Sequence, residues 1–474
     1  MINTKIIATI GPACDNEKTL MQMYDAGMRI ARLNFSHGNH SYFETAIEKI
    51  RKISNKIAII ADTKGPEIRS GEVEGGEIEL CDEDKLLLTK KNVIGTNKIL
   101  TINYHRLGSL KKGDRVLIDD GLIEAKVISR RFGGPIVKIV NGGKLGSRKT
   151  VSLKGHNAKI DFLSEKDKSD INFAIRNKLD FVAASFVRKG KDVLELQKYL
   201  DKHNSNMKII SKIEHWEALE NIDSIIENSY GIMVARGDLG VEVEIEKVPQ
   251  VQKDIILKCN ELGKPVIVAT QMLESMRENP RPTRAEIADV TQAILDGTDA
   301  IMLSAETASG DYPVKAVNMM TRIAKEYEMK IDSDKLEAIF SKNDILKNSI
   351  SIFVARTAYL ASKRLRVSAI ITPTESGFTA RNVSRFKPKC PIFAITHNET
   401  IIRQLQLSWG VFPYENPRDY KDVDRMVKNT IRFLHKEKLI TDKCKVAITS
   451  GHNIGMSGHT NTLEIYRVEN VLKK

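Results

Sequence analysis

Lys208–Gly240 reads KIISKIEHWEALENIDSIIENSYGIMVARGDLG. Its two ends, Lys208–Ile213 and Gly231–Ala235, are apolar and β-branched almost throughout, and the stretch between them is amphipathic. Near-continuous apolar runs separated by helical segments predict parallel strands buried on both faces. The same texture recurs outward at Lys5–Ile10, Arg29–Asn34, Ile57–Asp62, Phe181–Ser185, Pro265–Ala269 and Ala300–Ser304. Eight such units close a (β/α)8 TIM barrel, an α/β fold. One helix start is explicit: Thr283 N-caps and Glu286 completes a capping box after Pro280 and Pro282.

The third and fourth runs lie about 115 residues apart, far beyond a βα loop. Between them, Gly75-Gly76, Asp119-Asp120-Gly121, Gly133-Gly134 and Asn141-Gly142-Gly143 punctuate period-two runs at Val116–Ile118, Leu122–Val127 and Ile136–Val140. This predicts a small antiparallel β domain, a β-barrel lid over the catalytic face. Beyond the barrel, Val367–Thr372, Ile392–Thr396 and Lys445–Thr449 predict an open α/β domain. The expected units are residues 1–66 with 157–330 (barrel), 67–156 (lid) and 331–474 (C-terminal domain).

The 474 residues are 41% hydrophobic and 28% charged, an ordinary globular composition. Lys and Arg number 74 against 61 Asp and Glu, a net +13. With no arginine-rich run, that excess points to small anions and away from nucleic acid. The five cysteines are scattered without a CxxC pair, which excludes a disulfide framework or zinc knuckle. No signal peptide and no run long enough to span a membrane is read, so a cytoplasmic location is expected.

Catalytic groups in such a barrel follow the C-terminal ends of the strands. Arg32, Asn34 and Ser36 share one face by alternation, a phosphate fork beside neutral oxygens. Asp62 and Thr63 add hard oxygens. Lys212 and Glu214 share parity on a buried strand, where charges need a partner or a metal. Asp238 follows Gly237, and with Glu214 forms a sparse carboxylate site suited to Mg²⁺. Thr270 and Ser304 end the last two strands; each reads equally well as a helix cap, and Glu306 follows closely. The set fits a phosphorylated, carboxylated small molecule and phosphoryl transfer. Neither GxxxxGK[ST] nor GxGxxG is present.

These segments also carry a resemblance. RIARLNFSHG (29–38), DTKGPEIR (62–69), SKIE (211–214), GIMVARGDLGVE (231–242), ATQMLES (269–275), NPRPTRAE (279–286) and IMLSAETASGDYP (301–313) closely resemble the pyruvate kinases, in that family's order. The resemblance implies phosphoryl transfer from phosphoenolpyruvate to ADP, giving pyruvate and ATP. It implies Arg32 on the transferring group and Lys212 on the transition state and enolate. Mg²⁺ (or Mn²⁺) would sit on Glu214 and Asp238, with the Gly237 backbone adjacent. K⁺ would sit on Asn34, Ser36, Asp62 and Thr63. Thr270 would contact the substrate, and Ser304 and Glu306 would join its proton relay. Asn34, His37, Arg69 and Lys149 would contact nucleotide, with Asp120 closing from the lid. A homotetramer is implied. A Mg²⁺-dependent lyase or aldolase would share Arg32, Glu214 and Asp238 but need no nucleotide lid. A basic RNA-binding or scaffold protein would need none of these charges.

Three positions depart from the family pattern: Cys14, Tyr230, and Thr150–Gly155 (TVSLKG where GVNLPG is usual). In the C-terminal domain, Thr374, Ser376, Gly377 and Thr379 open a helix as a phosphate-effector cradle, together with the 451–461 loop. Glu375, where sugar-bisphosphate-binding forms commonly carry Lys, favours a monophosphate. The end at Lys474 suggests that the additional C-terminal domain of some bacterial forms is absent.

Overall fold

A computed structural model describes residues 1–131, 133–156, 160–343, 348–415, 423–451 and 460–473. The eight expected runs are strands β1 (Lys5–Thr9), β2 (Met28–Asn34) and β3 (Ala58–Asp62), and, after the insertion, β12 (Phe181–Ala184), β13 (Lys208–Ile213), β14 (Gly231–Ala235), β15 (Val266–Ala269) and β16 (Ala300–Leu303). They close in the order β1-β16-β15-β14-β13-β12-β3-β2, every pair parallel. Alternate residues fill the barrel: Ile7, Ile30, Ile60, Phe181, Ile210, Met233, Ile267 and Met302 form one inner cluster, while their neighbours pack against the surrounding helices. The capping box at Thr283 and Glu286 is present.

The insertion carries β4 (Glu77–Leu80), β5 (Lys85–Thr89), β6 (Ile99–Thr101), β7 (Arg115–Ile118), β8 (Ile123–Arg131), β9 (Gly134–Asn141), β10 (Gly143–Gly146) and β11 (Val151–Lys154). A six-stranded sheet, β11-β7-β8-β9-β5-β6, and a β10-β4 ribbon enclose one apolar core. Pairing is antiparallel except between β5 and β6, which run parallel. A loop of nine residues, Lys90 to Lys98, separates those two strands, so no tight hairpin forces reversal.

The C-terminal sheet has five strands where three were expected: β17 (Ala369–Pro373), β18 (Ile392–Thr396), β19 (Val411–Glu415), β20 (Lys445–Ser450) and β21 (Thr462–Arg467), in the order β19-β18-β17-β20-β21. The two extra strands lie at the edges, where Pro413 and the polar alternation of Thr462–Arg467 hide them from an apolar-run reading. No helix among the described residues is long and apolar enough to cross a membrane, and all five cysteines are free.

The C-terminal domain docks under the N-terminal ends of the barrel strands. Leu407 joins the barrel-interior cluster from below. Asp299 accepts from Lys387 Nζ and from the Trp409 and Val266 backbones, all at 3.0 Å. Asp180 pairs with Arg403 at 2.6 Å and Arg51 at 3.3 Å. Removing one partner of a buried pair strands the other charge. Lys387→Ala is therefore expected to destabilise the protein by about 3 kcal/mol or more. A urea titration followed by Trp409 fluorescence checks it; an unchanged midpoint would show the pair to be energetically idle.

Candidate active site

Closure of the barrel brings the strand ends together, and the charges meet in one chain. Arg32 Nε donates to Asp62 Oδ2 at 2.6 Å, and Lys212 Nζ lies 3.2 Å from Asp62 Oδ1 and 2.8 Å from Glu214 Oε1. Lys212 also donates to Ser185 Oγ at 2.8 Å, and the Phe186 N–H donates to Glu214 Oε2 at 2.7 Å. Arg32 and Lys212 are only 8% and 9% exposed, Asp62 and Glu214 less still.

This burial sets the electrostatics. It works against the Lys212 charge, but Asp62 and Glu214 together overcome it and raise the lysine above its ordinary value. Burial would raise Asp62, and Arg32 and Lys212 outweigh it, holding the carboxyl low. Glu214 is pushed up to about 7, by burial first and then by Asp238, against the pull of Lys212. Asp238 is raised by burial too, with Asp120 and Glu67 adding to it. Two carboxylates held in this way favour a cation between them.

Glu214 and Asp238 line a half-open cleft between barrel and lid, with Glu67, Asp120, Thr150, Ser152, His215 and Glu242 also on its wall. No group of three or more His, Cys, Asp or Glu side chains in metal-holding geometry occurs among the described residues. The donor set therefore fits a divalent ion that takes two protein carboxylates and draws its other ligands from water and substrate. For a monovalent ion, strand register sets Asn34 opposite Asp62, with Ser36 and Thr63 just beyond. Ser36 lies past the end of β2, in a turn where its N–H donates to Asn34 Oδ1 at 3.1 Å, so strand alternation does not carry to it. Thr63 Oγ1 donates to the Ala183 carbonyl at 3.3 Å.

On the far side, Thr270 follows β15 in a left-handed conformation, φ 66°. Its Oγ1 accepts from the Gly237 N–H at 2.9 Å and donates to the Ala269 carbonyl at 2.7 Å. Thr270 is thus no helix cap. Ser304 occupies an N-cap position without making a side-chain cap, and its Oγ is buried with no hydrogen-bond partner. The cap alternative fails for both hydroxyls. Glu306 is fully buried and receives the Ser304 and Leu273 N–H groups at 2.7 and 3.1 Å, tying the ends of two strands together.

Facing the barrel, Arg69 Nε donates to Glu67 Oε2 at 2.6 Å, and Lys149 pairs with Asp119 at 3.0 Å. The tight turn through Asp119, Asp120 and Gly121 runs at positive φ, and Thr150 Oγ1 donates to Asp120 Oδ1 at 2.6 Å. His37 lies in the turn after β2, its N–H on the Asn34 carbonyl at 3.1 Å. In the C-terminal domain, Thr374 Oγ1 accepts from the Gly377 N–H at 2.9 Å, the Ser376 carbonyl accepts from Arg381, and Thr379 pairs with Thr460 at 2.6 Å. Of the 451–461 loop, 452–459 lie outside the described residues.

Reading strand ends for charge missed Ser185, which links Lys212 to the Thr63 carbonyl, and Thr9, which accepts from Arg32 at 3.0 Å. Ser185 closes the fourth run, so its position was the available sign. Arg236, also passed over, donates to the Thr270 carbonyl at 2.8 Å and to Asp289 at 2.7 Å.

Known proteins resemble this chain in both sequence and fold. The family model for the pyruvate kinase barrel domain matches residues 1–317, and that for the pyruvate kinase alpha/beta domain matches 353–466. The pyruvate kinase of Geobacillus stearothermophilus is 43% identical over 99% of this chain and 81% of its own length. That of Sporosarcina psychrophila is 42% identical, covering the whole chain and 82% of the relative. A crystal structure of a pyruvate kinase from Cryptosporidium parvum superposes with a TM-score of 0.92 at 37% identity, covering 98% of this chain and 96% of that one. With both domain models and full-length relatives in agreement, the chain belongs to the pyruvate kinase family.

Proposed function

We propose that the barrel mouth transfers the phosphoryl group of phosphoenolpyruvate to ADP, giving pyruvate and ATP, the reaction of its family. The observation that carries this is the buried chain Arg32–Asp62–Lys212–Glu214 beneath the lid. In the transfer, the bond from phosphorus to the enol oxygen breaks and one to a terminal phosphate oxygen of ADP forms. There is little covalent work for the protein, so positioning and charge carry the rate.

Arg32 takes the transferring group, with Gly237 and Asp238 bordering the substrate. Lys212, held protonated by Asp62 and Glu214, meets the charge that develops on the enolate oxygen. Thr270 contacts the substrate, and Ser304 and Glu306 lie on the path of the proton that reaches carbon. Asn34, His37, Arg69, Asp120 and Lys149 take the nucleotide from barrel and lid. Glu214 and Asp238 hold Mg²⁺ or Mn²⁺, which when bound neutralises phosphoryl charge as a Lewis acid. Asn34, Ser36, Asp62 and Thr63 hold K⁺.

The same reading includes the expected boundaries, with the barrel at 1–66 and 157–330, the lid at 67–156 and the C-terminal domain at 331–474. It also includes a cytoplasmic homotetramer and a phosphorylated effector at Thr374, Ser376, Gly377 and Thr379. Glu375, 3.7 Å from His397, sets a carboxylate beside that loop and favours a monophosphate over a bisphosphate.

ADP-dependent formation of pyruvate from phosphoenolpyruvate, with and without Mg²⁺ and K⁺, tests the assignment. Lys212→Ala is expected to lower kcat by about 100-fold or more with little change in the KM for phosphoenolpyruvate, the mark of a group used in the transition state. A change confined to KM would make Lys212 a binding residue instead. Glu214→Gln is expected to cost about as much and to raise the Mg²⁺ concentration needed for half activation; normal turnover at low Mg²⁺ would remove Glu214 from the metal site. Replacing K⁺ by a large organic cation is expected to reduce activity steeply. Glu67→Lys, which brings an ammonium into the cleft, should relieve that need, and full activity of the unaltered protein without K⁺ would refute it.

A further inference from the structure

Ser152, His215 and Glu242 are among the polar groups on the cleft wall that have no role in the assignment above. Ser152 lies on β11, the lid strand that follows Lys149 and Thr150. Its hydroxyl donates to Glu242 Oε1. Glu242 ends the helix Arg236–Glu242, one turn after Asp238, so the two carboxylates share a helix face. The other oxygen, Oε2, is buried without a well-formed hydrogen bond and lies 3.5 Å from His215 Nε2. His215 directly follows Glu214.

The tautomer follows from the contacts. His215 Nδ1 accepts the Glu217 N–H at 3.1 Å, so that nitrogen carries no proton. A neutral ring that accepts at Nδ1 carries its proton on Nε2, the atom facing Glu242. Glu242 therefore takes a donor from the lid on one oxygen and faces a donor from the barrel on the other. Hydrogen bonds left long before substrates arrive tighten when the site closes. The same helix meets the lid a second time: a Cβ on Gly121, next to Asp120, would lie 3.6 Å from Val241. Ser152 falls within Thr150–Gly155, the lid segment that departs from the family pattern.

We propose that Glu242 is a positioning residue for phosphoryl transfer, latching lid strand β11 to the helix that carries Asp238 and to the strand end that carries Glu214. Lid closure and alignment of the two carboxylates then become one event. The proposal rests on the reading of Glu214 and Asp238 as the divalent-ion pair and of Lys149 and Asp120 as the lid's nucleotide side. Without the latch, the lid closes on nucleotide less often, while phosphoenolpyruvate still meets Arg32 and Lys212.

The test compares Ser152→Ala, Glu242→Ala and Glu242→Gln with the unaltered enzyme, each first checked for its thermal midpoint. A hydrogen bond to a charged group is worth about 10- to 100-fold in affinity. Ser152→Ala and Glu242→Ala are expected to raise the KM for ADP by about that factor, with the KM for phosphoenolpyruvate nearly unchanged. Glu242→Gln keeps an oxygen for the Ser152 hydroxyl but turns its amide N–H toward His215 Nε2, so it should recover only the lid-side part of the loss. Trp216, whose ring lies 5.4 Å from that of His215, supplies a second readout. Its emission should change on addition of Mg²⁺ and ADP in the unaltered protein and in Glu242→Gln, but not in Glu242→Ala. Equal losses in every kinetic parameter, in step with lost folded protein, would mean a merely structural role and overturn the proposal. So would an unchanged ADP dependence, or a glutamine variant no better than the alanine one. If the unaltered protein forms no pyruvate, the parent assignment fails; if it does and the variants match it, only the latch fails.

Discussion

Lys212 holds a positive charge where little water reaches it, and the site is arranged around that fact. An isolated buried ammonium would lose its proton. Asp62 on one side and Glu214 on the other prevent this, and each is in turn tied to its own strand end. Arg32 balances Asp62, and the Phe186 N–H anchors Glu214. The chain of alternating charge is held at a cost in desolvation that only mutual pairing offsets. Such a network is prepared for a substrate that brings its own negative charge, because the donors are already oriented before it arrives.

The architecture exists to hold that network. A closed parallel barrel makes eight strand ends converge, so residues far apart in sequence, such as Arg32 and Lys212, share one carboxylate. The opposite end is sealed by the C-terminal domain through Asp299, Asp180 and Leu407. The lid meets the remaining side through the contact of Ser152 with Glu242. The same barrel strands therefore face catalysis at one end and domain contact at the other.

Much of this was legible in the sequence because parallel barrel strands have an unusually plain signature. Both faces are buried, so each reads as an apolar run, and the polar residues just after it stand out. The edge strands β19 and β21 lacked that contrast and were missed, and β6 runs parallel to β5 within a domain expected to be antiparallel. Arg32, Asn34, Lys212, Glu214, Asp238 and Thr270 were singled out because they lie at or just beyond strand ends. Ser185 and Thr9 also end strands, but a neutral hydroxyl at such a position gives no hint of which charge it will meet.

The sequence by itself determined the number of barrel units, the place of the insertion, the kind of groups at each strand end and, through long shared motifs, the family. Periodicity and local chemistry suffice for that, since they act within a few residues. The tertiary structure alone decided which charges pair. Asp62 belongs to both Arg32 and Lys212, Thr270 binds the Gly237 N–H instead of capping a helix, and Glu306 joins two loops. Those partnerships depend on strand order and register around a closed barrel, and most join residues 30 or more positions apart along the chain, which no local pattern encodes.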